Sequence, residues 1–152
     1  MVEILKKYPE RVHAWDTETI GINAKEDSPV GMGQCICASA FLGPDVDFGN
    51  GPRLFVDNYA DSEDVLMEFK EYFEDEEYLK CWHNYGYDRH ILFNHGIDCR
   101  GFGGDTMHMA RLCDPSRMPG DYALAKLSNL LNTEIEESKQ TIITTYRSLG
   151  DE

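Results

Sequence analysis

Along this chain the spacing of hydrophobic and polar positions changes period several times, and each change marks a predicted element. The run Arg11-Val12-His13-Ala14-Trp15 reads as a short strand rising into Asp16-Thr17-Glu18-Thr19. After a polar loop over 21–33, with turn chemistry at Asp27-Ser28-Pro29, residues 34–42 form a second strand. Residues 53–57 form a third, joined to the second through Gly43-Pro44-Asp45 and Gly49-Asn50-Gly51-Pro52 as a long hairpin connection. Val65, Leu66, Phe69 and Phe73 then recur at helical spacing, which predicts an amphipathic helix packed on the sheet. A buried strand over 78–82 gives way at Asn84 to a helical pattern carrying Tyr87, Ile91 and Leu92 on one side. Asn84 suits the cap of that helix and Gly96 its C-terminal stop. Two further helices follow, over 105–112 with Asp105 as N-cap and over 124–131. A three-stranded meander followed by β-α-β alternation predicts an α/β fold.

Candidate chemistry sits at two of these switches. Side chains on a strand alternate faces, so Asp16 and Glu18 emerge on the same side, close enough to share a cation. Like charges so close favour protonation unless a cation lies between them, and hard carboxylate oxygens suit magnesium or manganese. An acidic strand end is also compatible with a merely solvated rim. The second switch is His83-Asn84-Tyr85-Gly86-Tyr87-Asp88, where Asn84 and Asp88 lie one helical turn apart on one face. Taken singly, that pair reads as a cap and an exposed carboxylate.

Taken together, the two motifs resemble the DEDD superfamily of 3′–5′ exonucleases, and within it the proofreading domain of family A DNA polymerases. Phe48-Gly49-Asn50-Gly51, Trp82-His83-Asn84-Tyr85 and the run from Gly104-Asp105-Thr106-Met107-His108 to Leu112 are similar to the exonuclease domain of plant and protist organellar DNA polymerases. The resemblance covers 11–131, most of the chain. It implies a ribonuclease-H-like fold, with a mixed central sheet (three-stranded antiparallel meander plus parallel strands) flanked by helices. By the resemblance, Asp16 bridges two metal ions, and Glu18 holds the tighter one and contacts the terminal 3′-hydroxyl. Asp88 holds the other. Asn84, Tyr87 and Thr17 form the substrate-binding set. The implied chemistry is two-metal hydrolysis with Mg²⁺ or Mn²⁺, which activates a water and stabilises the leaving 3′-oxygen. The implied partners are a single-stranded DNA 3′ end and a polymerase domain in the same parent chain, in mitochondrion or plastid.

One departure weighs against full activity. The family carries a downstream Tyr-x-x-x-Asp, whose Asp completes the tight metal site. Here Lys126 stands four residues after Tyr122, and Gly150 four after Tyr146, with Asp151 one position late. One extra residue rotates a helical side chain by about 100°. Truncation before the third motif is therefore expected, leaving three carboxylates and a feeble nuclease.

Composition changes the picture in one respect. The 152 residues suit a single domain, with 132–152 as a weakly ordered tail. Fourteen basic against 28 acidic residues give a formal charge of −14, which opposes spontaneous binding to nucleic acid. Much of that charge is a solvated helix face and turn between 61 and 77. In the family, a neighbouring polymerase domain holds the duplex, so a few frayed nucleotides need only aromatics and metal. Tyr85, Tyr87, Phe102 and Met107 are the candidate stackers, each equally suited to a core. His83 is a candidate hydrogen-bond donor to the carboxylates, and His108 a helix-surface or core partner. Cys35 and Cys37 are expected to share a strand face in the core, and the five cysteines suit a reducing compartment. No apolar run is long enough for a membrane span, and residues 1–9 resemble neither a secretory signal nor a transit peptide. Two functional classes stand: a proofreading exonuclease module, and a non-catalytic exonuclease-like scaffold in a larger assembly.

Overall fold

A computed structural model describes residues 1–62 and 64–130. Strands β1 (His13–Ile20), β2 (Gln34–Phe41) and β3 (Arg53–Asp57) form the antiparallel meander. On the other side of β1, strands β4 (Lys80–Trp82) and β5 (Phe102–Asp105) add in parallel, giving the order β3-β2-β1-β4-β5. The acidic strand is thus central, flanked by an antiparallel and a parallel neighbour. A short helix, α1 (Val2–Leu5), precedes the sheet; α2 (Lys70–Glu74) leads into β4, and α3 (Tyr85–Asn94) connects β4 to β5. This mixed sheet with flanking helices is consistent with the expected ribonuclease-H-like fold.

The core is aromatic. Trp15 of β1 packs on Phe73 at 4.7 Å between ring centroids and on Trp82 of β4 at 6.4 Å. Ile91 and Leu92 seal the cluster from α3, both fully buried. Beneath it lies a satisfied polar group. The Tyr72 hydroxyl accepts from Trp15 Nε1 (2.9 Å) and pairs with Nδ1 of buried His13 (2.7 Å), while His13 Nε2 lies 3.0 Å from the Tyr8 carbonyl. The Tyr8 carbonyl can only accept, so Nε2 carries a proton, and burial lowers the pKa of His13.

Several local expectations change in three dimensions. The first strand starts at His13, two residues later than expected, and runs on to Ile20, carrying Asp16 and Glu18 as the alternation required. The acidic segment is no continuous α-helix: a 3₁₀ turn (Val65–Phe69) precedes α2. Asn58 anchors its start, accepting the Leu66 N–H at 2.8 Å and donating to the Cys35 carbonyl at 2.9 Å. β5 escaped the periodicity because Gly103-Gly104 is a weak strand signal. Gly103 nevertheless allows a close approach: a Cβ there would stand 3.0 Å from Leu79 Cβ and 3.2 Å from the Lys80 carbonyl oxygen, tighter than ordinary contact. Cys35 and Cys37 are buried but do not share a face. Cys37 pairs with Glu18 and Cys35 with Thr19, so the extra residue Ile36 makes a bulge that reverses the alternation.

The chain divides into two compact units, Met1–Thr106 and Met107–Glu152. In the second, α4 (Thr106–Cys113) continues from the last residue of the first unit, and a 3₁₀ turn (Pro119–Tyr122) precedes α5 (Leu124–Leu130). The Tyr122 hydroxyl donates to the Asp114 carbonyl at 2.7 Å, and the Arg111 guanidinium lies over the Tyr122 ring. Tyr122 is therefore a packing residue of this unit. The tail over 132–152, with Tyr146, Gly150 and Asp151, lies outside the described residues. Among the described residues no helix is long and apolar enough to cross a membrane.

Candidate catalytic site

The site is made by a strand that ends early. β4 pairs with β1 through His13↔Lys80 and Ala14↔Cys81, then stops at Trp82. Beyond that point the chain turns through His83 and Asn84 into α3, whose first turn carries Asp88. Asp88 is 4% exposed, and its Oδ1 accepts a 2.6 Å hydrogen bond from the Thr17 hydroxyl. One residue earlier on α3, the Tyr87 hydroxyl pairs with the Thr19 hydroxyl at 2.8 Å. Two adjacent helix residues thereby hold two alternate strand residues, and the residues between and before them are Glu18 and Asp16.

Asp16 and Glu18 are both half-buried and, by alternation, face away from Thr17. Asp88 comes to β1 from the Thr17 side. Its electrostatics nonetheless register Asp16. Burial pushes the Asp88 carboxyl up to about 7, the Thr17 hydrogen bond opposes that rise, and the charge of Asp16 adds to it. The Cys35 thiol is pushed up mainly by burial, with Cys37, Asp88 and Glu18 adding.

The donor chemistry fits a hard divalent cation: oxygen ligands only, one of them a buried acid that a nearby positive charge would ionise. The spacing for a single shared ion is not reached, since among the described residues no group of three His, Cys, Asp or Glu side chains is arranged to hold one. Asp88 is turned to Thr17 instead.

The turn before α3 is built differently from the sequence expectation. Asn84 occupies the cap position, but at φ +71° and with no side-chain cap hydrogen bond. The capping oxygen atoms come from Asp105, at the end of β5. Its Oδ1 accepts from the Asn84 N–H (3.0 Å) and its Oδ2 from the Tyr85 N–H (2.7 Å). Asp105 is 3% exposed and was expected to cap the helix that follows it in sequence. Only the Trp82↔Asp105 register brings it to α3. A Gly-Gly-Asp ending an unpredicted strand carried no local signal for that role.

The remaining candidates separate cleanly. His83 Nδ1 lies 2.8 Å from the Thr106 hydroxyl, which itself donates to the Trp82 carbonyl at 3.2 Å, so this ring nitrogen braces the β4 exit. Tyr85 packs against the core, its ring beside Trp82 and Phe102 and its hydroxyl donating to the Cys99 carbonyl at 3.0 Å. Tyr87 is half-buried against β1, whereas Phe102 is exposed. Met107 is half-buried and His108 exposed, both on α4.

Known proteins share this arrangement of sequence. The family described as 3′–5′ exonuclease, of the A-type DNA polymerases, matches residues 1–148. The chain is 46% identical over 132 residues to DNA polymerase I A, chloroplastic/mitochondrial, of Arabidopsis thaliana, covering 85% of this chain and 13% of that one. It is 48% identical over 128 residues to DNA polymerase I A, chloroplastic, of Oryza sativa subsp. japonica, covering 81% of this chain and 12% of that one. The chain thus spans about one eighth of the length of these relatives. Among solved structures, a nuclease in its apo form superposes with a TM-score of 0.62 at 19% identity, covering 92% of this chain and 60% of that one. The POL domain of Pol1 from M. smegmatis, in complex with DNA primer-template and dNTP, gives a TM-score of 0.56 at 13% identity, covering 76% and 18%. Those two likenesses show the fold, and the sequence matches show the rest: the chain belongs to the 3′–5′ exonuclease family of the A-type DNA polymerases, a family of hydrolases.

Proposed function

We propose that this chain is the proofreading 3′–5′ exonuclease domain of an organellar DNA polymerase, a single functional domain acting on the 3′ end of single-stranded or frayed DNA. The observation that carries the reading is the 2.6 Å bond between Thr17 and Asp88, which sets the second-motif carboxylate against the strand bearing Asp16 and Glu18. Asp16, Glu18 and Asp88 would hold two Mg²⁺ or Mn²⁺ ions. Bound there, the ions supply Lewis-acid chemistry, offsetting charge on the scissile phosphate and lowering the pKa of water. The chain's own work is positional. Thr17 and Tyr87 fix the geometry of β1 against α3, Asn84 lies at the helix start beside the incoming strand end, and Glu18 faces the terminal 3′-hydroxyl.

The net charge of −14 requires help with substrate capture, and a polymerase domain in the same parent protein supplies it by holding the duplex. Its place of work is the mitochondrion or plastid, as the names of its relatives suggest. A second reading, a non-catalytic scaffold, is favoured by that same charge and by the lack of a three-residue cage among the described residues. The deciding experiment uses 5′-labelled single-stranded DNA, Mn²⁺, the wild-type chain and Asp16→Ala. Slow stepwise digestion, halted by a chelator and by the substitution, is the expected outcome. No digestion even at high enzyme would leave the scaffold reading standing, and vigorous digestion by Asp16→Ala would remove both metal and site assignments.

A further inference from the structure

We propose that Asp105 is a positioning residue for this site, a clamp that aims Asp88 by holding the left-handed turn at Asn84. The inference rests on the reading of Asp88 as a metal ligand. The turn from β4 into α3 has to reverse the chain within two residues, and it does so with Asn84 at φ +71°. Asn tolerates that region better than other non-glycine residues, but the conformation still has to be held by its surroundings. Asp105 provides that constraint. Both of its oxygens are engaged, by the consecutive N–H groups of Asn84 (3.0 Å) and Tyr85 (2.7 Å), and the carboxylate is 3% exposed. Charge-assisted bonds of this kind, made in a buried place and at a helix N-terminus, are among the stronger neutralisers of unsatisfied N–H groups.

The clamp is tied to the sheet. Asp105 is the register partner of Trp82, whose carbonyl accepts from Thr106, and β5 is drawn close to β4 by the absence of a side chain at Gly103. Asp88 lies three residues beyond Tyr85, in the same helical turn that the clamp starts. The direction of that turn sets where the Asp88 side chain stands along β1. Asp105 itself need touch neither metal nor DNA.

The test measures Mn²⁺ affinity of the full chain by water-proton relaxation in four proteins: wild type, Asp88→Ala, Asp105→Asn and the double variant. Asp105→Asn keeps the size of the side chain but places an NH₂ against one of the two N–H donors. The expected result is about a tenfold loss for Asp105→Asn, equal to that for Asp88→Ala, with the double variant no weaker than Asp88→Ala alone. A purely structural residue would not show that equivalence. If Asp88→Ala weakens binding and a folded Asp105→Asn does not, or if the two losses add, the clamp is overturned while the ligand reading survives. If Asp88→Ala leaves binding unchanged, both fall. Amide hydrogen exchange in the wild-type chain provides a reading that needs no variant. The Asn84 and Tyr85 amides should be protected like those of β4, and exchange at unprotected rates would overturn the proposal.

Discussion

The hydroxyl of Thr17 donates to Oδ1 of Asp88 across 71 residues of sequence, at 2.6 Å. That bond stabilises the charged form of a carboxyl which burial and the neighbouring Asp16 charge both push toward neutrality. Burial wins, and the group titrates at about 7. An ordinary Asp in the unfolded chain loses its proton near 4, so the folded state binds the proton more tightly between these values. Stability contributed by this site is present below the unfolded pKa and is lost as pH rises through the folded one. The gap between the two values is worth about 4 kcal/mol. Asp88→Asn retains an acceptor for Thr17 and removes the charge. In metal-free buffer it should raise Tm at about pH 8 and leave it nearly unchanged at about pH 4, as thermal melts at the two pH values will show. An equal gap at both would contradict the assignment.

Metal should reverse that penalty. If Asp16, Glu18 and Asp88 are the ligands, titration with Mn²⁺ at neutral pH is expected to raise the Tm of the wild-type chain, because the ion then binds the folded state and not the unfolded one. Asp16→Ala should abolish the rise. A chelator should return the wild type to its metal-free Tm and no lower, since the aromatic core around Trp15, Phe73 and Trp82 is assembled without metal.

Lys80 is the counterpart to Asp88 on the structural side of the molecule. It is fully buried, its Nζ donates to the carbonyls of Asp75 (2.6 Å), Phe73 (3.2 Å) and Arg100 (3.2 Å), and it sits over the Tyr72 ring. Burial lowers its pKa to about 8. The ammonium collects carbonyls at the end of α2 and in the approach to β5. Lys80→Met fills similar volume but leaves those carbonyls to find water or go unmet. Chemical denaturation should show a loss of about 3 kcal/mol, at the level of two or three unsatisfied groups. A neutral outcome would mean water replaces the lysine fully.

The two tryptophans of the core should respond differently to the same change. Trp15 Nε1 donates to the Tyr72 hydroxyl, whereas Trp82 Nε1 is buried with no hydrogen-bond partner among the described residues. Trp→Phe removes ring volume at both positions. At Trp82 it also removes an unmet donor, and at Trp15 it strips a donor from a buried hydroxyl. Trp15→Phe should therefore be the more destabilising by about 1–2 kcal/mol in equilibrium unfolding. The reverse order would show that packing outweighs donor satisfaction here.

What could be read from the linear chain was whatever depends on near neighbours. Alternation put Asp16 and Glu18 on one face of a strand, and a helical period put Asp88 one turn after Asn84; together these motifs pointed to the exonuclease family that the relatives show. The meander and the parallel strand β4 followed from apolar runs and turn residues. What could not be read depends on contacts between distant segments. Asp105 looked like the cap of its own helix because the local pattern offers no other use for it, and pairing of β5 with β4 gave it a different one. The bulge at Ile36 is equally silent in sequence, since it exists only in the register between two strands. The pKa of Asp88 is of the same kind, being a property of burial and of charges brought near by folding. Residue identity and period determined which groups the candidate site offers, because those act over one or two turns of backbone. Their protonation, their aim and the clamp beneath them were decided by tertiary structure, because desolvation and hydrogen bonding across the sheet have no local signature.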